Sequence, residues 1–148
     1  MVGGPVDTRG LDCDRRAILA AEALGADLAY IGSPFLACAE ANTPSGFKQM
    51  VVDSASRDIV VINGFTGANA SFLLPSILAN GLDPATLAKP KGSGVDVSGG
   101  GHPKAWRDVW SAGQGIGAVK ASLPAADYVA NLAADYERAR AAMGVGRG

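Results

Sequence analysis

Leu28, Ala29, Tyr30 and Ile31 follow one another without a charged or strongly polar break, in Gly25-Ala-Asp-Leu-Ala-Tyr-Ile-Gly-Ser-Pro-Phe35. A strand with one wet face alternates apolar and polar residues, whereas an unbroken apolar run bounded by turn residues reads as a strand covered on both faces. Residues 28–31 are therefore expected to be a short buried strand. Such strands belong to parallel sheets with helices packed over them, so this one requires parallel neighbours. The preceding residues supply a helix. Asp14 is the expected N-cap for residues 15–24, Ala17, Ile18, Ala21 and Leu24 share one face, and Gly25 supplies the left-handed stop. Helix, tight turn and buried strand make the tail of a β/α unit.

Composition narrows the class. At 148 residues the chain has the size of one domain, and 48% hydrophobic against 18% charged residues describes a folding sequence, not a disordered one. Net charge is −1 with no basic block, which argues against nucleic acid as a partner. Cys13 and Cys38 fit two unpaired thiols in a reducing compartment, and with His102 as the single histidine no zinc-type ligand set can be drawn. Residues 71–78 are broken by Pro75, and residues 1–10 lack the apolar core of a secretory leader, so no membrane association is expected and the expected location is cytoplasmic.

Further along, residues 35–41 suit a short helix. Thr43 is the expected cap of a second helix over residues 46–54, with Pro44 near its first turn. The β-branched stretch of residues 58–63 predicts a strand. Residues 65–70 predict a turn, residues 72–80 a helix ended by Gly81, and residues 83–101 an exposed Gly/Pro-rich loop. Residues 106–110 suit a short helical turn. Val129, Leu132, Tyr136, Ala139 and Met143 recur at three- and four-residue spacing, so an amphipathic helix opening near Pro124 and Asp127 needs a partner surface. Residues 144–148 are expected to fray.

Three places could carry chemistry. Gly32-Ser33 reads either as a phosphate cradle, with Gly32 allowing close backbone approach and Ser33 offering an N–H and a hydroxyl, or as a plain strand-ending turn. Gly113-Gln-Gly-Ile-Gly117 lacks the preceding strand and following acidic residue of a dinucleotide loop, but Gln114 lies beside Trp106 and Trp110, where a planar ligand could pack. His102, in Gly99-Gly-Gly-His-Pro103, has the pKa for proton transfer near neutrality, yet no carboxylate is placed to orient it; a solvated surface histidine is the plainer reading. No nucleophile–base arrangement can be drawn, so no catalytic residue and no metal ligand is assigned.

The segment Ile18-Leu-Ala-Ala-Glu-Ala-Leu-Gly-Ala-Asp-Leu-Ala-Tyr-Ile-Gly-Ser33 resembles a late barrel segment of the nitronate monooxygenase family, formerly the 2-nitropropane dioxygenases. The likeness continues through Phe47-Lys-Gln-Met50, Asn63-Gly-Phe-Thr-Gly67, residues 77–83 and residues 106–117, and ends in the helix from Pro124. The resemblance implies an α/β fold: the C-terminal part of a TIM (β/α)8 barrel, the smaller added α/β segment and a C-terminal helix. It implies that residues 1–13 are a divergent segment, 14–35 the last β/α unit with its phosphate turn, 36–122 the added smaller domain, and 123–148 the final helix and tail.

It further implies FMN as cofactor, with Tyr30, Ile31, Gly32 and Ser33 at the FMN phosphate and Gln114 near the flavin, consistent with phosphate sites late in such barrels. The implied reaction is oxidation of a small-molecule nitronate with O2 to a carbonyl compound and nitrite. The chain departs from the family pattern at Thr8-Arg-Gly-Leu-Asp-Cys-Asp14, where a Gly-Gly turn belongs, and at Pro34, where the family often carries Arg. His102 does not match the family's catalytic histidine, which belongs to an earlier barrel half. Two alternatives stand beside this reading: a flavin-dependent enoyl-thioester reductase relative, and a non-catalytic truncated fragment that self-associates through open strand edges.

Overall fold

A two-stranded antiparallel ribbon organises the middle of the chain. β1 (Ile59–Ile62) pairs with β2 (Ala70–Leu73) in the register Ile59 to Leu73, Val60 to Phe72, Val61 to Ser71 and Ile62 to Ala70. The computed structural model describes residues 17–65, 67–87 and 106–144. The expected cap at Asp14, the divergent segment 1–13, Cys13, most of the Gly-rich loop with His102, and residues 145–148 lie outside them.

The helices are α1 (Ala17–Ala23), α2 (Ser45–Asp53), α3 (Leu74–Ala79), α4 (Pro84–Leu87) and α5 (Ala125–Ala142). Three 3₁₀ turns are also present among the described residues: Ser33–Ala37, called the first below, Gln114–Ala118, called the second, and the short Ser56–Asp58 that leads into β1. Gly25 ends α1 in the left-handed region at φ 92°, as the sequence predicts. Leu19 and Ala21 are the buried residues of α1, while Leu24, expected on the apolar face, follows the last helical turn and is exposed.

Residues 28–31 do not form the expected buried strand. They carry no regular secondary structure, and Leu28 is 88% and Tyr30 86% exposed. The physical reason is pairing. A buried parallel strand draws its hydrogen bonds from strands on either side, and the sheet among the described residues is the antiparallel β1–β2 pair alone. A (β/α)8 barrel is accordingly not formed by the described residues, which make a mixed helix-and-strand arrangement.

Two apolar clusters flank the ribbon. One joins Ala37 of the first 3₁₀ turn, Phe47 and Val51 of α2, Ile59, Leu73, Ala112, Ile116 and Val119. The other joins Ile62, Phe72, Ile77 of α3, Leu87 of α4 and Val109. The strand edge of β2 is extended by the chain returning from Trp106: the Leu73 N–H donates to the Trp110 carbonyl at 2.8 Å.

Phe72 and Leu73 thus belong to a strand, not to the helix expected over 72–80. Proline suits the boundary, because Pro75 fits the first turn of α3, and Leu73, the residue capping it, is extended and paired with Ile59. Thr43 does not cap α2. Pro44 occupies the N-cap position, and the Thr43 hydroxyl donates instead to the Leu36 carbonyl at 2.7 Å. Part of the expected 83–101 loop is α4, its first turn closed by the Asp83 carboxylate accepting from the Ala85 N–H at 2.9 Å.

The last helix is anchored at its start. Both carboxylate oxygens of Glu40 accept from the Ala125 N–H, at 3.1 and 2.9 Å, and the Ser122 hydroxyl donates to the Ala37 carbonyl at 2.6 Å. Farther along, the Tyr136 hydroxyl donates to the Glu22 carboxylate of α1. The amphipathic stripe is only partly covered: Leu132, Tyr136 and Ala139 are half-buried, whereas Val129 and Met143 are exposed. Length explains this, since at 1.5 Å per residue seven-residue α1 spans ~10 Å and eighteen-residue α5 ~27 Å.

Two outcomes test this architecture. Ile77 is fully buried, so Ile77→Ala is expected to cost about 2–5 kcal/mol in denaturant unfolding, from lost transfer and cavity terms together. The Glu40 carboxyl is held below its ordinary value of 4.5, chiefly by the Ala125 N–H. A depressed folded pKa contributes stability that is present above the unfolded value and lost as pH falls through the folded one. Glu40→Gln is therefore expected to lower the thermal midpoint near neutrality, the difference from the parent narrowing as pH falls below 4.5.

Candidate functional site

Ser33 opens the first 3₁₀ turn, directly after Gly32. Its hydroxyl oxygen accepts the Gly113 N–H at 2.7 Å, across 80 positions of sequence. The two segments singled out in the sequence therefore meet at one hydrogen bond. On its own side, Gly32 offers its carbonyl to the Phe35 N–H at 3.0 Å, and a Cβ at Gly32 would meet nothing within 4 Å. On the other side, the Gly113 carbonyl accepts the Ile116 N–H at 3.3 Å and the Gln114 carbonyl accepts the Ser56 hydroxyl at 2.7 Å.

Gly113 is required by proximity. A Cβ there would stand 3.0 Å from the Ser33 oxygen, tighter than ordinary contact. The Ser33 hydroxyl, having accepted one hydrogen bond, keeps its own hydrogen as a donor. Gly115 and Ile116 are buried and hold the second turn in the core, while Gln114 is half-buried. The structure thus brings Ser33 and Gln114 to one place, with Gly32 exposed beside them. Ile31 is half-buried and Tyr30 stands open to solvent.

The donors at this turn are neutral. Pro34 is buried in the first 3₁₀ turn and brings no charge to it. The Cys38 sulfur sits 3.8 Å from the Pro34 carbonyl, and burial, followed by the nearby Glu40 carboxylate, pushes its thiol pKa upward. A thiol so placed stays protonated and is a poor nucleophile. Among the described residues no group of three His, Cys, Asp or Glu side chains could hold a metal, and no helix is long and apolar enough to cross a membrane.

The expected planar platform is only partly present. Trp110 is committed to packing: its ring stacks on Phe47 at 5.0 Å between centroids and 8° between planes. Trp106 is 62% exposed, holds φ 63°, and leans on Phe72 at 6.4 Å. A left-handed conformation is unusual for so large a residue, and the Trp106 N–H donates to the Val109 carbonyl at 2.7 Å to close the turn.

Sequence reasoning missed the polar scaffold behind this loop. The Ser76 hydroxyl accepts the Trp110 N–H at 2.7 Å, and the Asn80 amide donates to the Ser76 and Asp108 carbonyls, each at 2.9 Å. Serine and asparagine four apart on a helix were the available signal. The buried Ser111 Oγ and Asn63 Oδ1 have no hydrogen-bond partner; Ser111 lies two positions from Gly113, so an unspent polar group borders the turn.

The chain as a whole superposes on parts of solved flavoenzyme-family structures. Nitroalkane oxidase from Streptomyces ansochromogenes superposes with a TM-score of 0.64 at 28% identity, over 91% of this chain and 40% of that one. FabK from Thermotoga maritima superposes with a TM-score of 0.62 at 17% identity, over 91% and 44%, which shows likeness of fold alone. No family model matches the chain.

A nitronate monooxygenase of Paraburkholderia phytofirmans is 30% identical over 135 residues, which is 86% of this chain and 37% of that protein. The chain is a relative, over part of its length, of the nitronate monooxygenase family. It spans about two fifths of the length of the proteins it matches.

Removing the linking hydroxyl tests the site's construction. Ser33→Ala leaves the Gly113 N–H without its partner and is expected to cost about 1–3 kcal/mol in denaturant unfolding. Gly113→Ala is expected to destabilise the parent more than it destabilises Ser33→Ala, because the crowded oxygen is then gone; a double-mutant cycle reads that coupling.

Proposed function

We propose that this chain carries the phosphate-binding part of an FMN-dependent oxidoreductase that oxidises alkyl nitronates with O2 to carbonyl compounds and nitrite. The observation that carries the reading is the Ser33–Gly113 hydrogen bond, which joins two separate stretches of an ordered likeness to a nitronate monooxygenase. In this reading the domain bounds of 14–35 for the phosphate-turn unit and 36–122 for the smaller domain apply, and the protein works in the cytoplasm.

The residues present fit the phosphate end of the cofactor. The space at Gly32 is open, and the turn offers the Ser33 hydroxyl with backbone N–H groups, which is the donor chemistry a phosphate needs. Tyr30 and Ile31 precede the turn, and Gln114 follows the glycine that fixes Ser33. When bound, FMN supplies oxidation of the nitronate anion by way of its redox-active ring. The chain's own part is to hold the phosphate at Ser33, to keep the second turn rigid through buried Ile116, and to keep the Cys38 thiol protonated and out of the chemistry. No described residue is assigned as acid or base.

The enoyl-thioester reductase alternative draws on the FabK likeness, which is a likeness of fold only. The fragment alternative, a non-catalytic chain that self-associates through open strand edges, draws on the exposed Leu28 and Tyr30.

FMN titration followed by flavin fluorescence is expected to show binding that Ser33→Ala weakens by about tenfold, the worth of one hydrogen bond to a charged group. Nitronate-dependent oxygen uptake with nitrite release supports the reaction assigned. NAD(P)H-dependent double-bond reduction in its place supports the reductase, and absence of any flavin binding overturns the reading.

A further inference from the structure

β1 borders the ribbon on the side away from β2, and the phase of the ladder shows which of its backbone groups point outward. In an antiparallel pair, opposed residues either exchange both backbone hydrogen bonds or turn both groups away from each other. Leu73 donates its N–H to the Trp110 carbonyl at 2.8 Å, and its partner Ile59 donates its own N–H to the Ser56 carbonyl. The Ile59–Leu73 pair is therefore of the turned-away kind, and so is Val61–Ser71 two positions on. Val60 and Ile62 carry the ladder to β2, whereas Ile59 and Val61 direct their backbone outward.

Two observations single out Val61. Among the described residues, no hydrogen bond outside the β1–β2 ladder involves its N–H or its carbonyl. Its side chain is 57% exposed in a strand whose two ends, Ile59 and Ile62, are buried. The outer edge thus offers the Ile59 carbonyl, the Val61 N–H and the Val61 carbonyl. The sequence does nothing to blunt it: Ile59-Val-Val-Ile62 holds no charge, no proline and no glycine. The outer edge of β2 differs, because the Trp110 carbonyl is already bonded there.

We propose that the β1 edge is a homodimer contact, in which β1 pairs antiparallel with β1 of a second copy about a two-fold axis through Val61. Hydrogen-bond supply selects this register. A residue on the axis that faces its own copy must both donate and accept, and Val61 is the residue of β1 with both outward groups unspent. Asn63 then falls opposite Ile59, whose carbonyl is still an acceptor. The neighbouring register, with Val60 on the axis, sets Val61 against Ile59; the Ile59 N–H is spent on Ser56, so the Val61 carbonyl is left without a donor.

Charge and burial agree with the hydrogen bonds. About the Val61 axis Asp58 faces Gly64 and Arg57 faces Phe65, so no like charges are opposed. Parallel pairing in register would set Arg57 on Arg57 and Asp58 on Asp58. Opposed side chains in the pair lie on one face of the sheet, so each exposed Val61 covers the other. The contact uses the same edge on both copies and closes at two chains. Four residues form a small interface, so the dimer is weak and reversible. It is independent of the proposed function, since neither the Ser33 turn nor a flavin takes part.

The test is sedimentation of the full chain from about 10 μM to about 1 mM, the range of a small interface. The expected result is reversible conversion from one chain to two. Val61→Lys opposes two like charges on the axis and is expected to weaken the dimer about tenfold or more. Val61→Thr keeps the β-branched shape and both backbone groups, and is expected to change it less than about threefold. Leu78→Asp, at an exposed leucine of α3, is expected to leave it unchanged.

A second measurement reads the register. Hydrogen-bonded partners stand about 5.5 Å apart between Cα atoms, within disulfide reach, so Val61→Cys chains are expected to link 61 to 61 under mild oxidation, as mapped on peptides. A chain that stays single throughout the range overturns the inference. So does a dimer as tight with Val61→Lys as without it, growth past two chains, or a dimer whose Val61→Cys variant forms no 61-to-61 link.

Discussion

An extended backbone has donors and acceptors along both edges, and each must find a partner or stay in water. That requirement sorts this chain into a part that closes on itself and a part that does not. β1 and β2 pair with each other, and β2 finds its second partner in the Trp110 carbonyl. The two apolar clusters then form above and below this paired ribbon. Residues 28–31 find no such edge among the described residues: Leu28 and Tyr30 stay exposed and Ile31 is half-buried, although the run is apolar.

The Ser33–Gly113 hydrogen bond is where the two regimes meet. It ties the start of the first 3₁₀ turn to the loop that enters the first cluster through Ile116, a cluster the turn's other end joins through Ala37. A serine hydroxyl suits this duty because it accepts from the loop while keeping a donor of its own.

Local signals were legible wherever the physics is local. The stop at Gly25 follows from its backbone freedom, the extent of α5 from Pro124 and a repeating stripe, and β1 from consecutive β-branched residues. The candidate turn was legible as a pair of glycine-bearing segments, and the structure brings Ser33 and Gln114 together. What failed depended on distant partners. The burial expected of residues 28–31 assumed neighbours that the described residues do not provide. Trp110 looked available for a ligand because nothing in the sequence says that Phe47 will stack on it. Phe72 and Leu73 were absorbed into a helix because apolar runs before a proline fit either state, and only pairing with Ile59 and Val60 decides between them.

The neutrality of the turn has a further consequence for how a phosphate would be held. With Pro34 bringing no charge to the turn, the attraction comes from hydroxyl and N–H dipoles, which act over short distances and only when correctly aimed. Such a site depends on rigidity more than a charged one does, since a guanidinium tolerates displacement that a fixed N–H does not. The anchoring of Ser33 to Gly113, and of the Gly113 loop to the core, supplies that rigidity from one side. From the other side the turn follows residues 28–31, where Leu28 and Tyr30 are exposed, so its aim is fixed through the Gly113 loop.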